Sequence, residues 1–325
     1  MQKKYLLDYT EGDCVSQTFL IARSQLRTAS NGQFYLDLEL CDKSGRMPAK
    51  LWRATPDMLS IAQPDDFVQV QGVVERYREN LQMKIESFRP VDEMHVNIND
   101  FLPACPKPTE PMLKYIKDTI AGMSNAPLRE LVQGIFNDAA FAGRFCTAPA
   151  GISFHHPYIG GLLEHTSSML EIGVNLLNCR PDLDADMLVA GIALHDIGKI
   201  EELSYSKAFK YTDRGKLLGH LVIGCDIIRQ YAANVPDLAP ERLELLLHLI
   251  LSHHGQHEFG SPRLPQTAEA LVVHYIDNMD AKLNAIELMK RNSTDPEAVW
   301  SEYNKMFQRE IYIRSLPDAT NNSSD

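Results

Sequence analysis

Gly191-Ile192-Ala193-Leu194-His195-Asp196-Ile197-Gly198-Lys199 ends an apolar run on an adjacent imidazole and carboxylate, followed by a glycine and a lysine. Asp184 to Ile197 reads as one helix, and Gly198 suits its C-terminal stop. Both polar side chains therefore leave the same helix end. An aspartate there can bridge two ions with its two oxygens while its neighbour holds one of them. Imidazole and carboxylate donors suit Mn²⁺, Fe²⁺, Mg²⁺ or Zn²⁺. Lys199 stands where the negative end of the helix dipole favours a cation.

Outward from this pair, the same residue types recur on successive helices. His165 precedes it; His220, the adjacent His253-His254 and Asp277 follow. A lone histidine on a helix is more often a core or surface residue than a ligand, and an adjacent pair arises by chance. Seven such residues on helices that otherwise carry an apolar face point to a metal centre. Asp280, one helical turn from Asp277 on much the same face, competes with it for the last position. His248 and His274 fit supporting roles, and His257 falls in a loop.

The helical period runs from residue 112 onward. It predicts helices over 112–123, 127–137 and 139–146, one around His165 to about Leu177, then 184–197, 216–232, 240–253 and 267–290. Residues 201–214 read as a loop or short irregular segment and 316–325 as a flexible tail. The helical domain is assigned to 112–315.

Residues 14–90 have a period of two with turn signals between the runs. Val15 to Ala22 is one run, and Asn31-Gly32 marks a hairpin. In the next run Phe34, Leu36, Leu38 and Leu40 share one face, Tyr35, Asp37 and Glu39 the other. Met47 to Trp52 returns, a short helix over Pro56 to Ala62 follows, and 67–74 and 81–88 complete the set, with a turn at Arg78-Glu79-Asn80. Five strands with a helix between the third and fourth describe an all-β OB-fold barrel. Such barrels grip single strands with aromatics beside basic side chains, here Tyr35, Trp52, Arg53, Arg76, Tyr77, Arg78 and Lys84. The chain carries a net charge of −11, yet from Val15 to Pro90 ten Lys/Arg face nine Asp/Glu. That relief of acidity is compatible with a polyanionic partner. Residues 1–13 read as a lead and 91–111, with four prolines from Pro103 to Pro111, as an extended linker in which 97–101 can pack against a domain.

Six scattered cysteines without a CxxC fit reduced thiols in the cytoplasm. The first residues meet Asp8 and Glu11 before any apolar stretch, unlike a signal peptide. No uncharged apolar run is long enough to span a bilayer.

The order His165, His195-Asp196, Asp277 resembles the HD superfamily of metal-dependent phosphohydrolases, and His220 with His253-His254 resembles its binuclear branch. Joined to an OB-fold, the segments His155-His156-Pro157-Tyr158-Ile159-Gly160-Gly161-Leu162-Leu163-Glu164-His165-Thr166 and Leu251-Ser252-His253-His254-Gly255 are similar to the YhaM-type 3′-to-5′ exoribonucleases over nearly the whole chain. The resemblance implies two domains, all-β then all-α, and two divalent ions, Mn²⁺ first among the candidates. One ion would take His165, His195, Asp196 and Asp277; the other would share Asp196 and take His220, His253 and His254. It implies catalytic roles for Asp196 and for Lys199, the latter as a point charge on a phosphate oxygen, and it assigns His155 and His156 to the nucleic acid. The expected substrate is single-stranded RNA, with single-stranded DNA as a second candidate, degraded to nucleoside 5′-monophosphates, with no membrane partner and with a homo-oligomer left open. Two alternatives stand beside it: a phosphohydrolase of small or cyclic nucleotides, and a non-catalytic single-strand binder.

Overall fold

The computed structural model describes residues 3–78, 80–152, 155–205, 207–293 and 298–314. The chain divides into two compact units, Met1–Pro106 with Ser204–Lys210, and Lys107–Leu203 with Tyr211–Asp325.

In the first unit β1 (Cys14–Thr28), β2 (Phe34–Asp42), β3 (Gly45–Trp52), α1 (Pro56–Ser60), β4 (Phe67–Tyr77) and β5 (Asn80–Val91) follow in order. The strands close a barrel in the order β1-β2-β3-β5-β4, with β3 and β5 parallel. Alternation drives it: Leu36, Leu38 and Leu40 are fully buried with Phe19, Ile21, Val68, Val70 and Met83, while Tyr35, Asp37 and Glu39 on the other face of β2 are only partly buried. Phe34 breaks the expected pattern and is exposed. It pairs with Thr28 at the far end of the β1–β2 hairpin, beyond the last β1 residue that pairs with β4.

Two segments outside the strands belong to this barrel. Leu6, in a short 3₁₀ turn, is fully buried in the barrel core, and its N–H donates to Asp42 Oδ2 at 2.7 Å. This segment thus contributes Leu6 to the barrel core. The expected extended linker begins with two 3₁₀ turns, Glu93–His95 and Ile98–Asp100, capped by Asp92 and Asn97. Phe101 then packs edge-on against Phe67 at 4.8 Å. Burial of these two side chains outweighs the extended preference of the proline-rich flank. Glu79 of the expected turn, Phe154 and the tail lie outside the described residues.

The second unit is helical: α2 (Thr109–Ala121), α3 (Ala126–Asn137), α4 (Ala139–Thr147), α5 (Gly161–Cys179), α6 (Ala185–Leu194), α7 (Lys199–Glu202), α8 (Asp213–Ala232), α9 (Pro240–Ser252) and α10 (Ala268–Asn292). Asp184, Thr212 and Thr267 cap α6, α8 and α10 by accepting backbone N–H bonds, which fixes where each helix starts. Every residue of α6 from Met187 to Leu194 is buried, as befits a helix that is apolar all round. The loop or short irregular segment expected over 201–214 holds two short strands after α7, Leu203–Ser204 and Lys210–Tyr211. Among the described residues no helix is long and apolar enough to cross a membrane.

Candidate metal centre

α6 ends at Leu194, and His195 and Asp196 lie in the turn that follows. Gly198 is not a left-handed stop; its φ of −63° is helical. Its missing side chain serves a close approach instead, since a Cβ there would lie 2.0 Å from the backbone oxygen of His220. α8 meets that turn through a kink at Gly219, whose φ of 71° an L side chain rarely adopts. The two glycines let the His195-Asp196 turn and His220 come together.

Five histidines are anchored in the same way. Nδ1 of His195 donates to the carbonyl of Ile192 at 2.8 Å, and Nδ1 of His253 to that of Ile250 at 2.8 Å. These carbonyls are among those that a helix end leaves without a partner. Nδ1 of His220 meets Glu202 Oε1 at 2.9 Å, that of His254 the Phe259 carbonyl at 2.8 Å, and that of His165 Asp280 Oδ2 at 2.7 Å. Each anchor fixes the ring and turns Nε2 inward as a free donor of an electron pair.

The inward atoms converge on two points either side of Asp196. On one side, Asp196 Oδ1 is 3.4 Å from His220 Nε2 and 3.5 Å from His253 Nε2, and His254 Nε2 is 3.1 Å from His220 Nε2. On the other, Asp196 Oδ2 is 3.3 Å from His195 Nε2 and 3.8 Å from His165 Nε2, and Asp277 Oδ1 is 3.3 Å from His165 Nε2. Asp196 Oδ1 and Asp277 Oδ1 are buried without a hydrogen-bond partner. Two orphaned carboxylate oxygens crowded among imidazole lone pairs fit divalent cations, because each otherwise bears a large desolvation cost.

Electrostatics agree with that fit. Burial opposes ionisation of Asp196, but Lys199 and His195 outweigh it and hold the carboxyl well below the usual range. Asp277 is likewise held low despite burial, by His165 and His155. Burial pushes His253 down and, with the nearby His253 and His220, brings His254 to about 3. Both imidazoles are thus neutral, the form that binds a metal. His165 moves the other way: burial lowers it, but its bonds to Asp277 and Asp280 outweigh this.

Asp280 is the aspartate that stands behind. Its Oδ2 meets both His165 Nδ1 and His156 Nε2, the latter at 2.8 Å, and its Oδ1 accepts from Ser168. His156 is buried, with Nδ1 2.8 Å from the Tyr158 hydroxyl. Expected to touch nucleic acid, it is placed here with its hydrogen bonds supporting Asp280 and hence His165. His155, also expected at the nucleic acid, enters the centre, 2.9 Å from His165 Nε2. Lys199 is buried against Asp196 Oδ2 at 2.5 Å. His248 accepts from the Gln266 N–H, His274 donates to the His253 carbonyl, and His257 is exposed. Glu202 as a ring anchor escaped sequence reasoning, since nothing in its spacing marks it, whereas Asp280 was marked only as a rival of Asp277 and not as an anchor.

On the barrel, Tyr35 and Trp52 are register partners with ring centroids 4.9 Å apart. Lys50, absent from the sequence expectation, lies over Tyr35, Trp52 and Tyr77 at 5.6, 5.9 and 5.0 Å. Its signal was available: two residues from Trp52 on one strand, it must share that face. Arg78 flanks Tyr77 at 5.5 Å, while Arg53 and Lys84 are exposed. Arg76 is engaged with Glu11 at 3.1 Å.

Barrel and helical centre match known families. Residues 23–91 match the OB-fold nucleic acid binding domain and residues 162–282 the HD domain. The chain is 37% identical over 318 residues to the 3′-5′ exoribonuclease YhaM of Geobacillus sp. (strain WCH70), covering 96% of this chain and 97% of that protein. It is 39% identical to the YhaM of Bacillus subtilis (strain 168), covering 87% and 90% of the two chains, and 40% identical to that of Shouchella clausii (strain KSM-K16), covering 85% and 86%. The chain belongs to the YhaM family of 3′-5′ exoribonucleases.

Proposed function

We propose that this protein is a 3′-to-5′ exoribonuclease that degrades single-stranded RNA, and single-stranded DNA as a secondary substrate, to nucleoside 5′-monophosphates at a two-metal centre. The observation that carries the reading is the pair of unpartnered buried oxygens, Asp196 Oδ1 and Asp277 Oδ1, among five imidazoles whose other nitrogens are all anchored. His165, His195, Asp196 and Asp277 would hold one ion, and Asp196, His220, His253 and His254 the other, with Mn²⁺ as the preferred metal. Two bound ions supply the positive charge that an in-line displacement at phosphorus requires.

In that reaction water attacks phosphorus, the bond from phosphorus to the penultimate 3′-oxygen breaks, and the terminal residue leaves as its 5′-monophosphate. The anchored rings keep the donors from reorganising during the step. Lys199 is paired with Asp196 Oδ2; once Asp196 serves cations, its ammonium is free to meet a non-bridging phosphate oxygen. The Tyr35, Lys50, Trp52 and Tyr77 face adds a second grip on the same strand, which a small nucleotide has no use for. Six thiols that form no disulfide with one another support a cytoplasmic location.

The test is 5′-labelled RNA incubated with Mn²⁺, Mg²⁺ or chelator, with the products resolved by length. A metal-dependent ladder shrinking from the 3′ end is expected. Internal cuts, or turnover of small nucleotides alone, would overturn the reading.

A further inference from the structure

Six imidazoles reach the centre, and His155 is unlike the other five. Its Nε2 lies 2.9 Å from His165 Nε2, 3.5 Å from Asp277 Oδ1 and 3.7 Å from Asp196 Oδ2. That is as deep among the donors as His165 itself. Yet it comes from the loop before α5, not from a helix or a helix end. Among the described residues its Nδ1 has no partner, whereas each of the other five is held there by a carbonyl or a carboxylate. Its backbone is left-handed at φ 68°, as is that of His156 at φ 53°. Such a conformation persists at a residue other than glycine only where the surroundings hold it, and it clusters at working sites. His155 also lines the cleft by which the centre opens, with Phe259, His274 and Asn278.

A ligand histidine is normally oriented through its second nitrogen, and a catalytic metal keeps a position open for its substrate. His155 satisfies neither condition for a permanent ligand. It reaches the donor cluster, it is the one ring without an anchor, and it sits at the entrance. We propose that His155 is an exchangeable donor to the ion on the Asp277 side: in the resting centre it fills the position that a phosphoryl oxygen of the substrate takes, and it yields to that oxygen. This rests on the metal-centre reading above. Emptying the position in the absence of substrate would leave the cation short of a donor; a permanent anchor would close it to substrate. A loosely held neutral ring avoids both.

The experiment uses the full chain loaded with Co²⁺ and inorganic phosphate as the probe. Wild type is compared with His155→Asn, chosen because asparagine tolerates left-handed backbone, and with His155→Gly, which relieves that backbone altogether. Both variants should take up as much Co²⁺ as wild type but bind it about tenfold less tightly. Their phosphate-free visible spectra should differ from that of wild type, and the phosphate-saturated spectra should coincide. At saturating Co²⁺, phosphate should bind the variants about tenfold more tightly if the ring holds the position roughly nine-tenths of the time. Coincident phosphate-free spectra would overturn the proposal alone, as would weaker phosphate binding in both variants. Wild-type protein that takes up no Co²⁺ would overturn the metal reading and this proposal with it.

Discussion

Asp280 Oδ2 lies 2.7 Å from Nδ1 of His165, on the side of the imidazole that faces away from the convergent donors. Asp277, one turn earlier on α10, instead aims an unpartnered oxygen at His165 Nε2. Two aspartates that look alike in sequence thus have different work. Asp277→Asn should reduce the bound Mn²⁺ from two ions to one. Asp280→Asn should keep both at saturation and weaken affinity by roughly 10–100-fold, the usual cost of losing a group behind a ligand. Calorimetric titration with Mn²⁺ separates these outcomes; equal loss of stoichiometry in both variants would reverse the assignment.

Lys199→Met should lower kcat by about 10²–10³-fold, the scale of losing one charge-stabilising donor, with KM little changed. Because the ammonium is paired with Asp196, its removal should also leave Mn²⁺ binding intact or tighter. Parallel loss of bound metal and turnover would instead make Lys199 a structural partner of Asp196.

The pH dependence of the metal-free protein follows from His254, held at about 3 in the fold against an ordinary value of 6.5, mainly by burial. Between these values the unfolded chain takes up a proton that the folded one refuses. This contribution therefore erodes stability as pH falls from 6.5 toward 3. His254→Gln removes it. In thermal melts with chelator, the variant should gain on wild type at about pH 5 relative to about pH 7.5. Melting curves that shift in parallel across that range would mean the ring is not held neutral by its surroundings.

Trp52→Ala should weaken binding of single-stranded RNA by about 1–3 kcal/mol, the usual value of one stacked base. Lys50→Met should reduce the slope of log affinity against log salt by about 0.7. Hydrolysis of a dinucleotide should be nearly unchanged in both. If dinucleotide turnover falls as far as that of long strands, the barrel face is not a separate grip.

How much of this was legible beforehand depended on how local the cause is. The barrel strands and most helices could be read because alternation and helical period are local, and the seven expected ligands stood out as polar residues on helices that otherwise carry an apolar face. Leu6 could not be assigned to the barrel core, since only the closed sheet makes room for it, and packing of 97–101 on a domain could be foreseen without its partner, Phe67. Gly198 was misread because a helix stop and a close backbone approach call for the same residue. His155 escaped its place in the centre because two left-handed residues in succession bring it there, and no sequence period encodes that. Asp277 and Asp280 share a helix face, so only the direction of each carboxylate separates them.

The carbonyls of Ile192 and Ile250, which hold His195 and His253, belong to the last turns of α6 and α9. Ile192 and Leu194, like Leu249 and Ile250, are themselves buried in the core, so neither turn can fray and release its ligand without exposing core side chains. Metal loss on heating should therefore coincide with opening of the core at these two helix ends, so that a bound cation would report core unfolding rather than a loose surface loop.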